Sequence, residues 1–224
     1  MVEIATFMKK TSIYIRSKVR DEKALPIIAG AMAAFDEFGA EVLGRSFSAD
    51  NIPRDLPDPS NFVLEGNLSL LHYRAALWEL YTRAPGKSIF TLDLVENPLV
   101  THDNRVVRAS SMQLLDLNTG AVVSPNYASV ILSTTPLFLR QEEEQRTQAR
   151  AYLLGLHELG HLVLGNQNPC ADNSCLNSHP LEEDRESLLE EKVDIVLSTN
   201  HAPICPSCQL VLKGFQKQTH ENKT

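Results

Sequence analysis

The sequence predicts an α/β fold, with α+β as the alternative. Three observations carry that reading. A β-branched and aromatic opening segment is followed at once by a helical stretch. A second helix leads into another apolar strand, SIFTLDL. Further strands then precede one long helix. At 224 residues, the chain is one large domain or one domain with an extension. Hydrophobic residues are 43% and charged residues 22% of the chain, which excludes wholesale disorder.

Each element follows from its residues. TSIYIR, at 11–16, is a β-branched and aromatic run and reads as the first strand. Residues 21–38 begin with acids and carry apolar side chains at 25, 27, 28, 31, 32, 34 and 35, a helical spacing that Gly39 can close. Pro26 is expected in the first turn of that helix, where its missing N–H costs little. The three prolines of 51–62 mark a loop. Residues 67–82 read as a second helix, 88–94 as a strand, and 106–116 and 121–133 as further strands joined by a turn at Asn118-Thr119-Gly120. The acids at 142–144 open a helix that runs to about 164, where negative charge suits the helix N-terminus. Residues 181–194 (LEEDRESLLEEKVD) read as an amphipathic helix with its charges toward solvent, and KQTHENKT as a frayed tail.

Charge narrows the partners. With 21 basic and 28 acidic residues the net charge is −7, which argues against nucleic acid and against anionic membrane. Residues 182–194 hold seven acids and two bases, so most of the excess lies there. No apolar run is long enough to span a bilayer and no secretory leader is expected, so the sequence points to the cytoplasm.

Four cysteines, all late in the chain, form two close pairs: Cys170 with Cys175, and Cys205 with Cys208. In a reducing compartment four soft thiolates in two pairs suit a tetrahedral zinc better than disulfides. Cys205-Pro206-Ser207-Cys208 is a tight turn that aims two sulfurs at one point.

The strongest signal is His157-Glu158-Leu159-Gly160-His161 within an apolar helical run. Residues four apart share one helix face, so both imidazoles can hold one zinc. Glu158 is then the carboxylate that takes a proton from a zinc-bound water and passes it to the leaving amine. His72, His102, His179 and His201 read as ordinary polar residues, with His179 also weighed as a ligand.

HELGH, a following glycine (Gly165), C-x4-C and a distant C-x2-C together resemble the archaemetzincins, a branch of the metzincin metallopeptidases. The resemblance covers most of the chain, loosely outside 157–208. It implies a metzincin-like twisted mixed sheet, an active-site helix, and two zinc ions. His157 and His161 match ligands of a catalytic zinc, Glu158 matches the general base, and the four cysteines match a structural zinc site. It divides the chain into 1–165, with sheet, backing helix and active-site helix, and 166–224, a zinc-pinned subdomain with the acidic helix. In that clan the peptide substrate lies along an edge strand, for which 122–123 and 129–133 are the candidates.

The chain departs from the pattern at the third ligand. No histidine stands there. Asn168 occupies the expected place, after Gly165 and before Pro169, and Asp172 offers the better zinc-binding chemistry. No Met follows Met112, so the methionine turn of the family is missing, and the stretch between the cysteine pairs is longer. The expected function is a zinc metallopeptidase acting on peptide or protein. A catalytically impaired relative serving as a zinc-stabilised binding or regulatory module is the alternative. A Spartan-like protease on DNA-bound proteins is a third reading, disfavoured by the acidic balance.

Overall fold

The computed structural model describes residues 13–18, 21–37, 54–83, 89–115, 122–135, 144–164, 170–172, 174–176, 178 and 185–210. The expected turn at 118–120, the glycines at 39 and 165, Asn168, Pro169, His179 and the C-terminal tail lie outside them. The described elements are mixed α/β, as the sequence predicts.

The opening strand is β1, Ile13–Ser17, and the first helix is α1, Asp21–Glu37. Pro26 sits in the second turn of α1, not the first, because the four residues from Asp21 are already helical. Its ring removes the N–H that would bond the carbonyl of Glu22. A 3-10 turn at Pro59–Phe62 follows, capped by Asp58, whose carboxylate accepts from the Ser60 N–H at 3.0 Å.

Two short strands come next, β2 (Val63–Leu64) and β3 (Asn67–Ser69). They form a hairpin whose two turn residues, Glu65 and Gly66, have φ of 49° and 82°, the left-handed pair a two-residue turn needs. The second helix, α2, therefore spans Leu70–Arg83 and starts three residues later than expected. Residues 67–69 find a ladder partner in β5 (Leu99–Val100), and tertiary pairing overrides their helical spacing.

The remaining strands are β4 (Ile89–Val95), β6 (Val106–Val107), β7 (Ala109–Leu115) and β8 (Val122–Ser133). The expected single strand over 106–116 is thus two. β6 pairs with β5 in a small sheet ordered β2-β3-β5-β6, while β7 pairs with β8 in the main sheet, ordered β1-β4-β8-β7. In the main sheet β1, β4 and β8 run parallel and β7 runs antiparallel. The stretch 129–133 is paired on both sides, with β4 and with β7, so it is not an edge strand; the antiparallel edge is β7.

The last two helices are α3 (Glu144–Leu164) and α4 (Arg185–Thr199). The chain divides into two compact units. One comprises Val2–Ala24 and Glu41–Arg140; the other comprises Leu25–Ala40 and Gln141–Thr224. The helix bearing HELGH thus groups with the C-terminal residues, whereas the sequence-based division falls at 165. In the sheet-bearing unit, Leu68, Tyr73, Leu77, Leu80, Leu99, Met112 and Ile131 form one buried cluster. In the other unit α1 and α3 meet through Gly30 and Gly155. A Cβ at Gly30 would stand 2.1 Å from the Gln148 carbonyl oxygen, and one at Gly155 would stand 3.0 Å from the Ala34 Cβ. Among the described residues, no helix is long and apolar enough to cross a membrane.

The charges of α4 do not all face solvent, contrary to the expectation. Arg150 Nε and Arg146 Nη2 on α3 donate to Glu190 at 2.7 and 2.9 Å, and Arg146 Nη1 donates to Asp194 at 2.8 Å. Burial alone would raise the Glu190 pKa, but Arg150 and Arg146 outweigh it and hold it below the usual range. Lys192 is buried. With 6% of its surface exposed, its stem packs inward.

Candidate metal centre

The two cysteine pairs lie far apart in sequence and together in space. All four Sγ atoms are within 4.8 Å of one another, and they form the one close group of three or more His, Cys, Asp or Glu ligands among the described residues. None is in a disulfide. Cys175 and Cys208 are buried, Cys170 and Cys205 half-buried, and the Cys170 and Cys205 sulfurs approach to 3.4 Å. Zinc–sulfur bonds of about 2.3 Å to a tetrahedron require a similar sulfur spacing, so the donor set fits zinc.

Local backbone geometry gathers them. The Cys205 N–H points at the Cys175 sulfur at 3.4 Å, and the Cys208 N–H points at the Cys205 sulfur at 3.5 Å. The Cys208 N–H, helped by contacts with Cys170, Cys208 and Cys175, holds the Cys205 thiol below its ordinary pKa. Thiolate is the form that ligates metal. On the approach side, α4 ends at Thr199, and the next residue, Asn200, has φ of 57° and donates its N–H to the Val196 carbonyl at 2.8 Å. That left-handed end turns the chain back toward Pro203 and the second cysteine pair.

The histidine pair lies on α3. His157 and His161 are half-buried, and their Nε2 atoms are 2.9 Å apart. The ring planes meet at 84°. The His157 Nδ1 lies 2.8 Å from the Leu176 carbonyl oxygen. A carbonyl only accepts, so Nδ1 carries the proton and Nε2 of a neutral ring presents its lone pair toward His161. Two ring nitrogens 2.9 Å apart on one helix face can share one ion at about 2.0–2.1 Å each. Glu158 follows on the adjoining face and is buried, with 6% of its surface exposed.

The other sequence candidates separate. Asp172 is exposed, and its Oδ1 accepts from the Ser174 N–H at 2.9 Å and the Ser174 hydroxyl at 2.6 Å. These bonds hold its carboxyl below the usual pKa. It does not join the histidines in a close ligand group. Asn168 lies outside the described residues. His72, His102 and His201 are exposed, as expected of ordinary polar residues. Two contributors escaped sequence reasoning. The Leu176 carbonyl left no signal, because any residue type supplies it. Lys192 left one: a base among the apolar positions of an acidic helix.

Comparison with solved structures supports the fold. The chain matches a zinc-dependent peptidase from Methanocorpusculum labreanum with TM-score 0.51 at 16% identity, over 90% of this chain and 99% of that one. Archaemetzincin from Methanopyrus kandleri matches with TM-score 0.49 at 17% identity, over 92% and 96% of the two chains. Archaemetzincin from Archaeoglobus fulgidus matches with TM-score 0.47 at 15% identity, over 90% and 99%. The fold assignment rests on the first of these. No family model and no curated protein matches the sequence.

Proposed function

We propose that the chain is a zinc metallopeptidase of archaemetzincin type that hydrolyses peptide bonds in peptides or proteins. The observation that carries this is the convergence of the His157 and His161 Nε2 atoms beside the buried Glu158. The zinc-dependent peptidase whose fold it shares supports the reading.

His157 and His161 hold the catalytic ion. Asn168 and Asp172 are the candidates for its third protein ligand, and the metal content of their alanine variants decides between them. Bound zinc would polarise the scissile carbonyl and make hydroxide available near neutral pH. Glu158 takes the proton from the attacking water and returns it to the leaving amine. Cys170, Cys175, Cys205 and Cys208 hold a second, structural zinc, and free thiols suit a reducing, cytoplasmic setting.

Glu158→Gln keeps shape and removes the base. It is expected to abolish cleavage of a peptide substrate while leaving two zinc ions per chain. Cleavage that survives the substitution removes Glu158 from this role. A His157→Ala/His161→Ala double variant is expected to lose one of the two ions. A single ion that depends only on the cysteines favours the binding-module reading instead.

A further inference from the structure

We propose that the cysteine cluster and the histidine pair are coupled through the Cys175–Leu176 peptide, so that metal in the cluster raises metal affinity at the histidines. This rests on reading both as metal sites, and it adds a dependence between them.

The link is short. Cys175 gives its sulfur to the cluster, and the carbonyl of the next residue, Leu176, accepts from His157 Nδ1 at 2.8 Å. The peptide between them is pinned from several sides. The Leu176 N–H donates to the Pro203 carbonyl at 2.8 Å, two residues before Cys205. The Cys175 carbonyl accepts from the Lys192 ammonium at 3.1 Å, from the Ser178 N–H at 3.1 Å and from the Ser178 hydroxyl at 2.8 Å. Lys192 is 6% exposed and reaches this carbonyl from α4.

A divalent ion cancels the repulsion among thiolates held within a few ångströms and fixes the positions of Cys175 and Cys205. Those two segments make the Leu176–Pro203 bond, which aims the Leu176 carbonyl at the imidazole. An imidazole anchored at Nδ1 keeps its Nε2 lone pair on the ligand position. Loss of such an outer partner costs about 10–100-fold in metal affinity. Lys192 adds a positive charge beside the cluster and holds the same peptide, so it is a positioning residue for both sites. Linkage makes the effect reciprocal: metal at the histidines tightens the cluster by the same factor.

The test is cobalt(II) titration of the full-length chain with and without substitutions, with far-UV circular dichroism as the folding control. Thiolate-to-cobalt charge-transfer absorption reports the cluster, and the remaining equivalent reports the histidines. Wild type is expected to take two equivalents. Cys170→Ser, which removes a ligand but leaves the Cys175–Leu176 peptide intact, is expected to weaken the histidine site about tenfold or more. Lys192→Met keeps every ligand and is expected to shift it in the same direction; it carries the test if Cys170→Ser does not fold. Two equivalents in wild type with an unchanged histidine-site affinity in the folded variants overturns the coupling alone. One equivalent in wild type, retained in His157→Ala/His161→Ala, overturns the histidine pair as a metal site and the coupling with it.

Discussion

The Asp93 carboxylate on β4 is fully buried and accepts from Arg16 Nε at 2.5 Å, Arg16 Nη2 at 2.8 Å, the Tyr73 hydroxyl at 2.6 Å and the Thr91 hydroxyl at 3.1 Å. Arg16 spends its other nitrogen on the Pro57 carbonyl at 2.7 Å. Burial would lower the Arg16 pKa, but Asp93 raises it further, so the guanidinium stays charged. Burial, then the Asp93 charge, pushes the Tyr73 hydroxyl well above its ordinary range, so it remains a donor. Such a pair matters most when halved. Asp93→Ala leaves a buried guanidinium without its counter-charge and is expected to cost about 3–5 kcal/mol in urea unfolding. Arg16→Met with Asp93→Leu is expected to cost less than Asp93→Ala alone; a larger loss removes the desolvation argument. Sequence reading saw TLDL only as a strand. The partner of Asp93 lies 77 residues away, and no local pattern announces it. HELGH and the cysteine pairs were legible because ligand chemistry is written in residue type and short spacing.

At the scale of elements, periodicity located the long helices well, and it failed where a ladder partner decided. Asn67–Ser69 has helical neighbours in sequence but a strand neighbour in space. The α1–α3 crossing shows a second limit. A glycine inside a helix reads as a weakness of about 1 kcal/mol relative to alanine. At Gly30 the sign reverses, because a methyl group would meet backbone at 2.1 Å in the fixed turn of α3. Gly30→Ala is therefore expected to lower stability by about 1–3 kcal/mol despite its better helix propensity, read as a fall in thermal midpoint. A rise in the midpoint means that the two helices separate at little cost. Likewise, the acidic helix looked like a solvated face, yet Arg146 and Arg150 draw Glu190 into the packing between α3 and α4.

For the whole molecule, most of the net charge of −7 falls in 182–194, between the two cysteine pairs in sequence. The cluster brings together the two cysteine pairs that flank that stretch in sequence, so its occupancy is expected to govern the stability of its unit. Removing metal from the full chain with a chelator is expected to lower the thermal midpoint, and added zinc to restore it. Mass action sets the scale at about 2.7 kcal/mol for free metal at 100 times its dissociation constant. An unchanged midpoint means that neither group of ligands holds metal.

By itself the sequence determined the order of most elements, the placing of His157 and His161 one helical turn apart, the carboxylate between them, and the two cysteine pairs. All of these depend on periodicity or on spacing within a few residues. The tertiary structure decided that four cysteines meet, that β7 forms the antiparallel edge, that Lys192 is buried, and that the Leu176 carbonyl orients His157. Those outcomes rest on partners brought together by folding, chiefly backbone groups, and the backbone is the same at every residue until the fold points it somewhere.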